Sequence, residues 1–291
     1  MAEVNHRHRI MRVLAGLPLG VLYVVSDVGY VVLYYIVRYR RRVVRSNLER
    51  VFGEMSRAEI VKIEKGFYRS ICDVFIEAFK TLNISDEELR ERVEVRNCEL
   101  PECIAAQGRS CLMLLGHCGC WEWCQEICTR YRWPRRNGEL YKRLSSPYFG
   151  SLMHEIRSHW DTEQVEMNRA VRTLLKWSGE GVPFLMGFIC DQRPDSAPKG
   201  MTRFMGQETW FVPGAEDIGR KIGAELIYLD VERTGRGHYR LTFRELDITD
   251  GVKNEKYPLT VRFWQLLETT VRRQPEIWLW SHKRWKNNGW V

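Results

Sequence analysis

The sequence predicts an α/β protein with a mixed central sheet flanked by helices, preceded by an N-terminal membrane-anchoring helix. Three observations carry this reading. Short apolar runs bounded by turn residues alternate with segments of helical period from about residue 93 onward, the pattern of strands interleaved with helices. One long apolar stretch, Val13–Val37, stands near the N-terminus with Asp27 as its single formal charge. The chain is 291 residues long and 44% hydrophobic, enough to bury a core without disulfide or metal staples. That composition excludes disordered, collagenous and coiled-coil classes.

The apolar stretch is long enough to span a bilayer, which takes about 20 apolar residues. Its two halves, Val13–Val25 and Val28–Val37, flank Ser26 and Asp27. A carboxylate at mid-bilayer costs about 2.5–3.5 kcal/mol, and Pro18, Gly20 and Gly29 weaken a regular helix. A single span and a membrane-embedded hairpin both fit, with a buried core helix as the soluble alternative. Arg7, Arg9 and Arg12 precede the stretch; Arg38, Arg40, Arg41, Arg42 and Arg45 follow it. The heavier basic flank is C-terminal, which places the bulk of the chain in the cytoplasm. Residues 1–45 are therefore expected to form an anchor and 46–291 a catalytic domain.

Beyond the anchor, Ser56 with Glu59 forms a capping box, and Ile60, Ile63, Phe67, Ile71, Val74 and Phe75 follow helical spacing. Ser85 begins a short helix, and Val93 and Val95 begin a β pattern. Cys111–Leu115 reads as a buried strand, Gly116–Gly119 as a turn and Trp121–Arg130 as a helix. Pro147–Trp160 and Asn168–Lys176 read as helices. Pro183–Cys190 is a strand ending at Asp191. Ala215–Ile222 is a helix with Gly223 as its C-cap. Glu225–Arg233 and Tyr239–Glu245 form a hairpin, and Thr260–Arg273 is a helix stopped before Pro275.

Charge and cysteines narrow the function. The formal charge is +8, which favours anionic partners: an anionic membrane leaflet, an acidic carrier protein or nucleic acid. The basic residues are scattered and no recognition helix stands out, so no nucleic-acid partner is expected. Of nine cysteines, seven are crowded between Cys98 and Cys128 rather than spaced as a disulfide framework, which indicates a reducing compartment.

The richest segment is Gly116-His117-Cys118-Gly119-Cys120-Trp121-Glu122. A buried strand runs into a glycine turn, where open α/β sheets place their sites. Across such a turn Glu122 can fold back onto His117, fixing one ring nitrogen and raising the basicity of the other. The free nitrogen can then take a proton from a substrate hydroxyl. A structural histidine in a turn is the plain alternative.

This run resembles the His-x4-Glu motif of the bacterial lipid A late acyltransferases (the lauroyl/myristoyl, or HtrB-like, family) within the lysophospholipid acyltransferase superfamily. The resemblance extends along nearly the whole chain. Arg41/Arg42, Ser46-Asn47-Leu48 and Phe52-Gly53 are similar to an early family segment, with Gly53 where proline is usual. Phe67-Tyr68, Glu77, Tyr141-Lys142-Arg143, Arg157, Asp191-Gln192, Phe204, Gly206, Thr209 and Pro213-Gly214 match later ones. Trp280-Ser281-His282-Lys283-Arg284-Trp285-Lys286 looks like the closing segment.

The resemblance implies a glycerolipid-acyltransferase-like fold. It also implies transfer of a fatty acyl group from an acyl-carrier-protein thioester to a hydroxyl of a lipid A precursor or related lipid, at the cytoplasmic face of a bacterial inner membrane. His117 would be the base and Glu122 its partner. Arg157 would hold an anionic head group, with a solvated surface arginine as the alternative. Asp191 would support the site, with a helix cap or turn as the alternative, and Tyr141 and Arg143 would line the substrate path. Backbone N–H groups near Gly119 would be oxyanion donors. No cofactor or metal is expected. Arg193-Pro194 after Asp191-Gln192 departs from the family pattern, so a lysophospholipid or aminolipid acceptor stays open.

A Cys/His metal module is the competing class. Cys118, Cys120, Cys124 and Cys128, with His117, His154 and His159, supply ligand types, but their spacing is no standard zinc pattern. On a helix, Cys120, Cys124 and Cys128 would form one small apolar stripe. Among the C-terminal tryptophans, Trp278 and Trp280 read as core and Trp290 as interfacial.

Overall fold

The computed structural model describes residues 8–127, 136–160, 162–194 and 197–285. Its strands are β1 (Val93–Arg96), β2 (Cys111–Leu115), β3 (Arg136–Tyr141), β4 (Glu163–Glu166), β5 (Phe184–Ile189), β6 (Gly200–Phe204), β7 (Gln207–Phe211), β8 (Glu225–Gly235) and β9 (His238–Glu245). Seven of them form one sheet in the order β1-β9-β8-β2-β5-β3-β4, while β6 and β7 make a separate hairpin. All neighbours in the large sheet run parallel except β8 and β9. This is the mixed sheet the sequence predicts.

The all-apolar β2 is buried along its whole length, as a central parallel strand must be. β3, β4 and the β6–β7 hairpin escape sequence reading. β4 reads Glu-Gln-Val-Glu, with one buried residue. Such a strand owes its existence to the ladder offered by its neighbour rather than to its own pattern.

The helices are α1 (Arg9–Ala15), α2 (Leu19–Val31), α3 (Arg41–Val51), α4 (Arg57–Lys80), α5 (Asp86–Arg92), α6 (Glu99–Ala106), α7 (Pro147–Arg157), α8 (Ala170–Gly179), α9 (Gly214–Ile222) and α10 (Pro258–Arg273). The capping box forms at the start of α4: Ser56 accepts from the Glu59 N–H, and the Glu59 carboxylate accepts from Ser56. Trp121–Gln125 is a 3-10 turn rather than the start of a regular helix to Arg130; residues 128–130 lie outside the described residues.

The apolar stretch breaks at Gly16–Pro18 into α1 and α2, and α2 continues as a π-helical turn over Val32–Ile36. Pro18 precedes the first turn of α2, where its missing N–H costs nothing. By length and composition alone, Leu19–Ile36 could cross a membrane. One stripe of it, Leu19, Leu22, Ser26, Tyr30 and Tyr34, is buried, and α2 packs along α4. Val21, Val24, Val25, Val28, Val31 and Val32 are exposed.

Polar groups fasten the buried stripe. Tyr23 donates to Glu77 at 2.9 Å, Ser26 donates to Asp73 at 2.7 Å, and Arg236 from the β8–β9 turn bridges Asp27 and Asp73. The boundary expected at residue 45 falls inside α3.

The closing segment is held by the early one. Asn47 on α3 donates to the carbonyls of Trp280 and His282, both at 2.9 Å, and Arg50 donates to Trp285. Trp278 and Trp280 are buried as expected, while Trp290 lies outside the described residues. Phe204 packs against Trp264, Trp278 and Trp285. Replacing Asn47 by Ala should cost about 2 kcal/mol, because two buried carbonyls lose their donor. Chemical denaturation of the two proteins checks this through the shift in midpoint.

Candidate active site

β2 and β5 are neighbours, with Leu115 opposite Ile189. Two residues beyond each end stand His117 and Asp191. Side chains two apart on a strand share a face, so this register alone brings the imidazole and the carboxylate together. His117 Nδ1 lies 2.6 Å from Asp191 Oδ1, and the His117 backbone N–H donates to Oδ2 at 2.9 Å. Trp278 Nε1 donates to the same Oδ2 at 2.8 Å. Burial by itself would raise the Asp191 pKa; the charge and hydrogen bonds of His117, together with Trp278, outweigh it and hold the carboxyl below its ordinary range.

The turn needs its glycines. A Cβ on Gly116 would sit 2.6 Å from Leu267 and 3.4 Å from Asp191. Gly119 has φ +57°, and a Cβ there would meet the Tyr239 ring at 2.5 Å. The C-terminal segment locks the turn from outside: Leu279 donates to the His117 carbonyl at 3.1 Å, and Gly119 donates to the Ile277 carbonyl at 3.0 Å. The Gly119 N–H is thus engaged within the protein, and any oxyanion donor near it would have to be another backbone N–H.

His117 Nε2 faces outward. Gln192 Nε2 approaches it at 3.4 Å, and the Trp121 ring stands edge-on to the imidazole at 5.0 Å. His282, on the closing segment, accepts from the Arg193 N–H at 3.0 Å. Burial pushes His282 down to about 4, so near neutral pH it is an uncharged acceptor.

The expected His117–Glu122 pair does not form. Glu122 accepts two hydrogen bonds from Arg157, at 2.7 and 3.0 Å, and one from the Trp121 indole at 3.1 Å. The 3-10 turn aims Glu122 away from the strand end, while Asp191 arrives from the neighbouring strand already in register. Asp191, expected to support the site, is buried behind the imidazole.

Arg157, expected to hold an anionic head group, is turned inward. Desolvation opposes its charge, but the Glu122 hydrogen bonds outweigh this and raise its pKa. Tyr141 ends β3 half-buried. Arg143 is exposed just beyond it.

Beside Trp121 opens a cleft lined by apolar residues of β2 and β5 and by Glu122, Gln125, Glu139 and Arg157. Sequence reading missed Gln125 and Glu139, whose strand and turn carry no apolar period. Glu139 lies 3.4 Å from Arg157. Burial first, then repulsion from Glu122, pushes the Glu139 carboxyl up to about 8 against the opposing pull of Arg157. Arg157 is already neutralised by Glu122, so burial decides and Glu139 holds its proton near neutrality. Among the described residues, no three His, Cys, Asp or Glu side chains gather as a metal site. Cys118, Cys120 and Cys124 are buried free thiols that desolvation keeps protonated, and Cys128 lies outside the described residues.

The His117–Asp191 pair thus stands at the carboxyl ends of adjacent parallel strands, where α/β folds place their sites, with Trp121 between it and the apolar cleft. The sequence profile of the bacterial lipid A biosynthesis acyltransferases matches residues 8–287, and the chain belongs to that family. No curated protein matches the chain. Among solved structures, it is similar to the 1-acyl-sn-glycerophosphate (LPA) acyltransferase PlsC from Thermotoga maritima. The two share 14% identity over 90% of this chain and 97% of that one, with a TM-score of 0.38. That likeness is too distant to carry any residue's role across.

The state of Glu139 has a measurable consequence. The unfolded chain ionises this carboxyl near the ordinary glutamate pKa of about 4.3, while the folded protein holds the proton to about 8. Between those values the folded state binds the extra proton, so stability falls as pH rises, and the loss levels off above the upper one. The difference in melting temperature between Glu139→Gln and the parent should therefore shift in favour of the variant from pH 5 to pH 8. A difference independent of pH would contradict this state.

Proposed function

We propose that this chain transfers a fatty acyl group from an acyl-carrier-protein thioester to a hydroxyl of a lipid A precursor or related lipid, with His117 as general base. The observation that carries the reading is the His117–Asp191 pair, which leaves Nε2 outward beside the cleft. Asp191 fixes the tautomer with the proton on Nδ1 and stabilises the imidazolium that forms. His117 Nε2 takes the acceptor hydroxyl proton as the oxygen attacks the thioester carbonyl. The new C–O bond forms, the C–S bond breaks, and the imidazolium returns its proton to the departing thiolate. Glu122 acts at one remove, by holding Arg157 and Trp121 in the cleft wall.

Partners follow from charge and surface. A chain of charge +8 suits an acidic carrier protein and anionic lipid. Arg143 is exposed and, among the described residues, free of ion pairs, so it is the better candidate for a lipid phosphate than Arg157.

The exposed valines of α2 form an apolar strip, with Arg38, Arg40 and Arg42 at its C-terminal end. The other face of α2 is fastened to Asp73, Glu77 and Arg236. A helix crossing the bilayer would drag those charges in with it, at a cost of several kcal/mol. The arrangement therefore supports a helix lying along the membrane surface, at the cytoplasmic face of a bacterial inner membrane.

In membranes supplied with acyl-carrier-protein thioester and lipid acceptor, His117→Ala should abolish transfer. Asp191→Asn should lose about 10³–10⁴ in rate by analogy with other tautomer-fixing carboxylates, and Glu122→Gln should lose less. Equal activity of His117→Ala and the parent would remove His117 as base. For the surface helix, Val24→Asp with Val28→Asp should weaken binding to anionic vesicles at least tenfold in flotation, with the fold unchanged by circular dichroism. Unchanged flotation would place the membrane contact elsewhere.

A further inference from the structure

The turn that carries His117 keeps few backbone donors for a substrate. The His117 N–H goes to Asp191, the Cys118 N–H to the Gly116 carbonyl, the Gly119 N–H to Ile277 and the Trp121 N–H to the Gly119 carbonyl. That accounts for four of the five N–H groups from His117 to Trp121. The fifth belongs to Cys120, a buried residue. Neighbouring side chains are committed as well. The Trp121 indole donates to Glu122, and Arg157 pairs with Glu122 and lies against Glu139. Acyl transfer nevertheless develops negative charge on the thioester carbonyl oxygen, and a donor placed to meet that charge is a large part of catalysis.

Gln192 is the uncommitted donor. It is exposed, and among the described residues its carboxamide makes one hydrogen bond, to His117 Nε2 at 3.4 Å. With Asp191 accepting the ring proton on Nδ1, Nε2 presents a lone pair. The amide nitrogen is therefore the end that faces it, since the amide oxygen there would meet a second lone pair. The backbone on both sides of Gln192 is pinned. Asp191 is buried and accepts three hydrogen bonds, and the Arg193 N–H donates to His282 Nε2 at 3.0 Å. The His282 carbonyl is held in turn by Asn47 at 2.9 Å. Gln192 is thus a free side chain on a fixed backbone, and its resting place covers the nitrogen assigned as base.

An acceptor hydroxyl comes within about 2.6–3.2 Å of Nε2 to give up its proton, which is the space the amide holds. The hydroxyl therefore displaces Gln192. The thioester carbonyl carbon then stands about 3–3.5 Å from the attacking oxygen, within reach of an exposed side chain that changes rotamer freely.

We propose that Gln192 is a further catalytic residue: its amide caps His117 Nε2 at rest and, once displaced by the acceptor hydroxyl, donates to the thioester carbonyl oxygen as charge develops there. The inference rests on the acyl-transfer reading and deepens it by naming a donor to the oxyanion. No proton leaves the amide. Charge gathers on the oxygen as the C–O bond forms and returns to the carbonyl as the C–S bond breaks.

Two variants test this. Gln192→Ala removes the amide, while Gln192→Glu keeps its size and replaces the donor by an acceptor. The position is exposed, so both should melt with the parent. Full-length protein in membranes is supplied with carrier-protein thioester and lipid acceptor. Gln192→Ala should lower kcat about 10²–10³-fold and Gln192→Glu at least as far, with KM for the thioester within about threefold of the parent. The cap is read without substrate: diethyl pyrocarbonate should modify His117 several-fold faster in Gln192→Ala than in the parent, followed by mass spectrometry of the His117 peptide. Parent-like turnover in Gln192→Glu overturns the proposal, as does a loss confined to KM or an unchanged rate of His117 modification. Transfer abolished in His117→Ala but retained in Gln192→Glu sinks this inference and leaves the proposed function standing. A parent that transfers no acyl group sinks both.

Discussion

The carboxylate of Asp191 is the point on which the site depends. It is buried, and it accepts from the His117 backbone, the His117 ring and the Trp278 indole. Each donor comes from a different requirement of the fold. The backbone N–H needs the Gly116 turn, the ring needs β2 and β5 in parallel register, and the indole needs the C-terminal segment in place. A buried carboxylate without those donors would be expensive. The cost of burying Asp191 therefore couples the His117 turn to a segment more than 80 residues away in sequence.

That segment is secured in turn by the N-terminal helices. Asn47 holds the Trp280 and His282 carbonyls, and Arg40 reaches the Ser281 carbonyl. On the other side, Glu77 accepts from Tyr23 of α2 and Tyr239 of β9, while its own carbonyl accepts from Trp123. The anchor, the hairpin and the turn that carries Trp121 thus meet on one buried acid, whose pKa burial raises. An apolar helix usually tolerates rotation about its axis. Here its polar stripe allows only one face to meet the domain, which leaves the valine face exposed.

Glu122 and Arg157 form an internal pair rather than a working acid or a ligand clamp. Their charges largely offset each other beside Glu139, so burial is left to push its carboxyl up. Removing either partner would leave a buried charge uncompensated, a change that costs several kcal/mol. The pair fixes the electrostatic character of the cleft without a hydrogen bond to His117.

The sequence by itself determined the α/β class, the strands β2, β5, β8 and β9, the capped helix at Ser56 and the glycine turn that carries His117. Each of these rests on local chemistry: apolar period, cap residues, glycine in a turn. It placed Glu122 near His117 because the two are close along the chain. Only the tertiary structure decided that Asp191 is the partner, since strand register, which no local pattern encodes, sets which side chains share a face. β3 and β4 were invisible for a related reason: their pairing comes from neighbours rather than from their own residues. The polar depth of the cleft, at Gln125 and Glu139, likewise exists only where a 3-10 turn and a strand from separate parts of the chain meet.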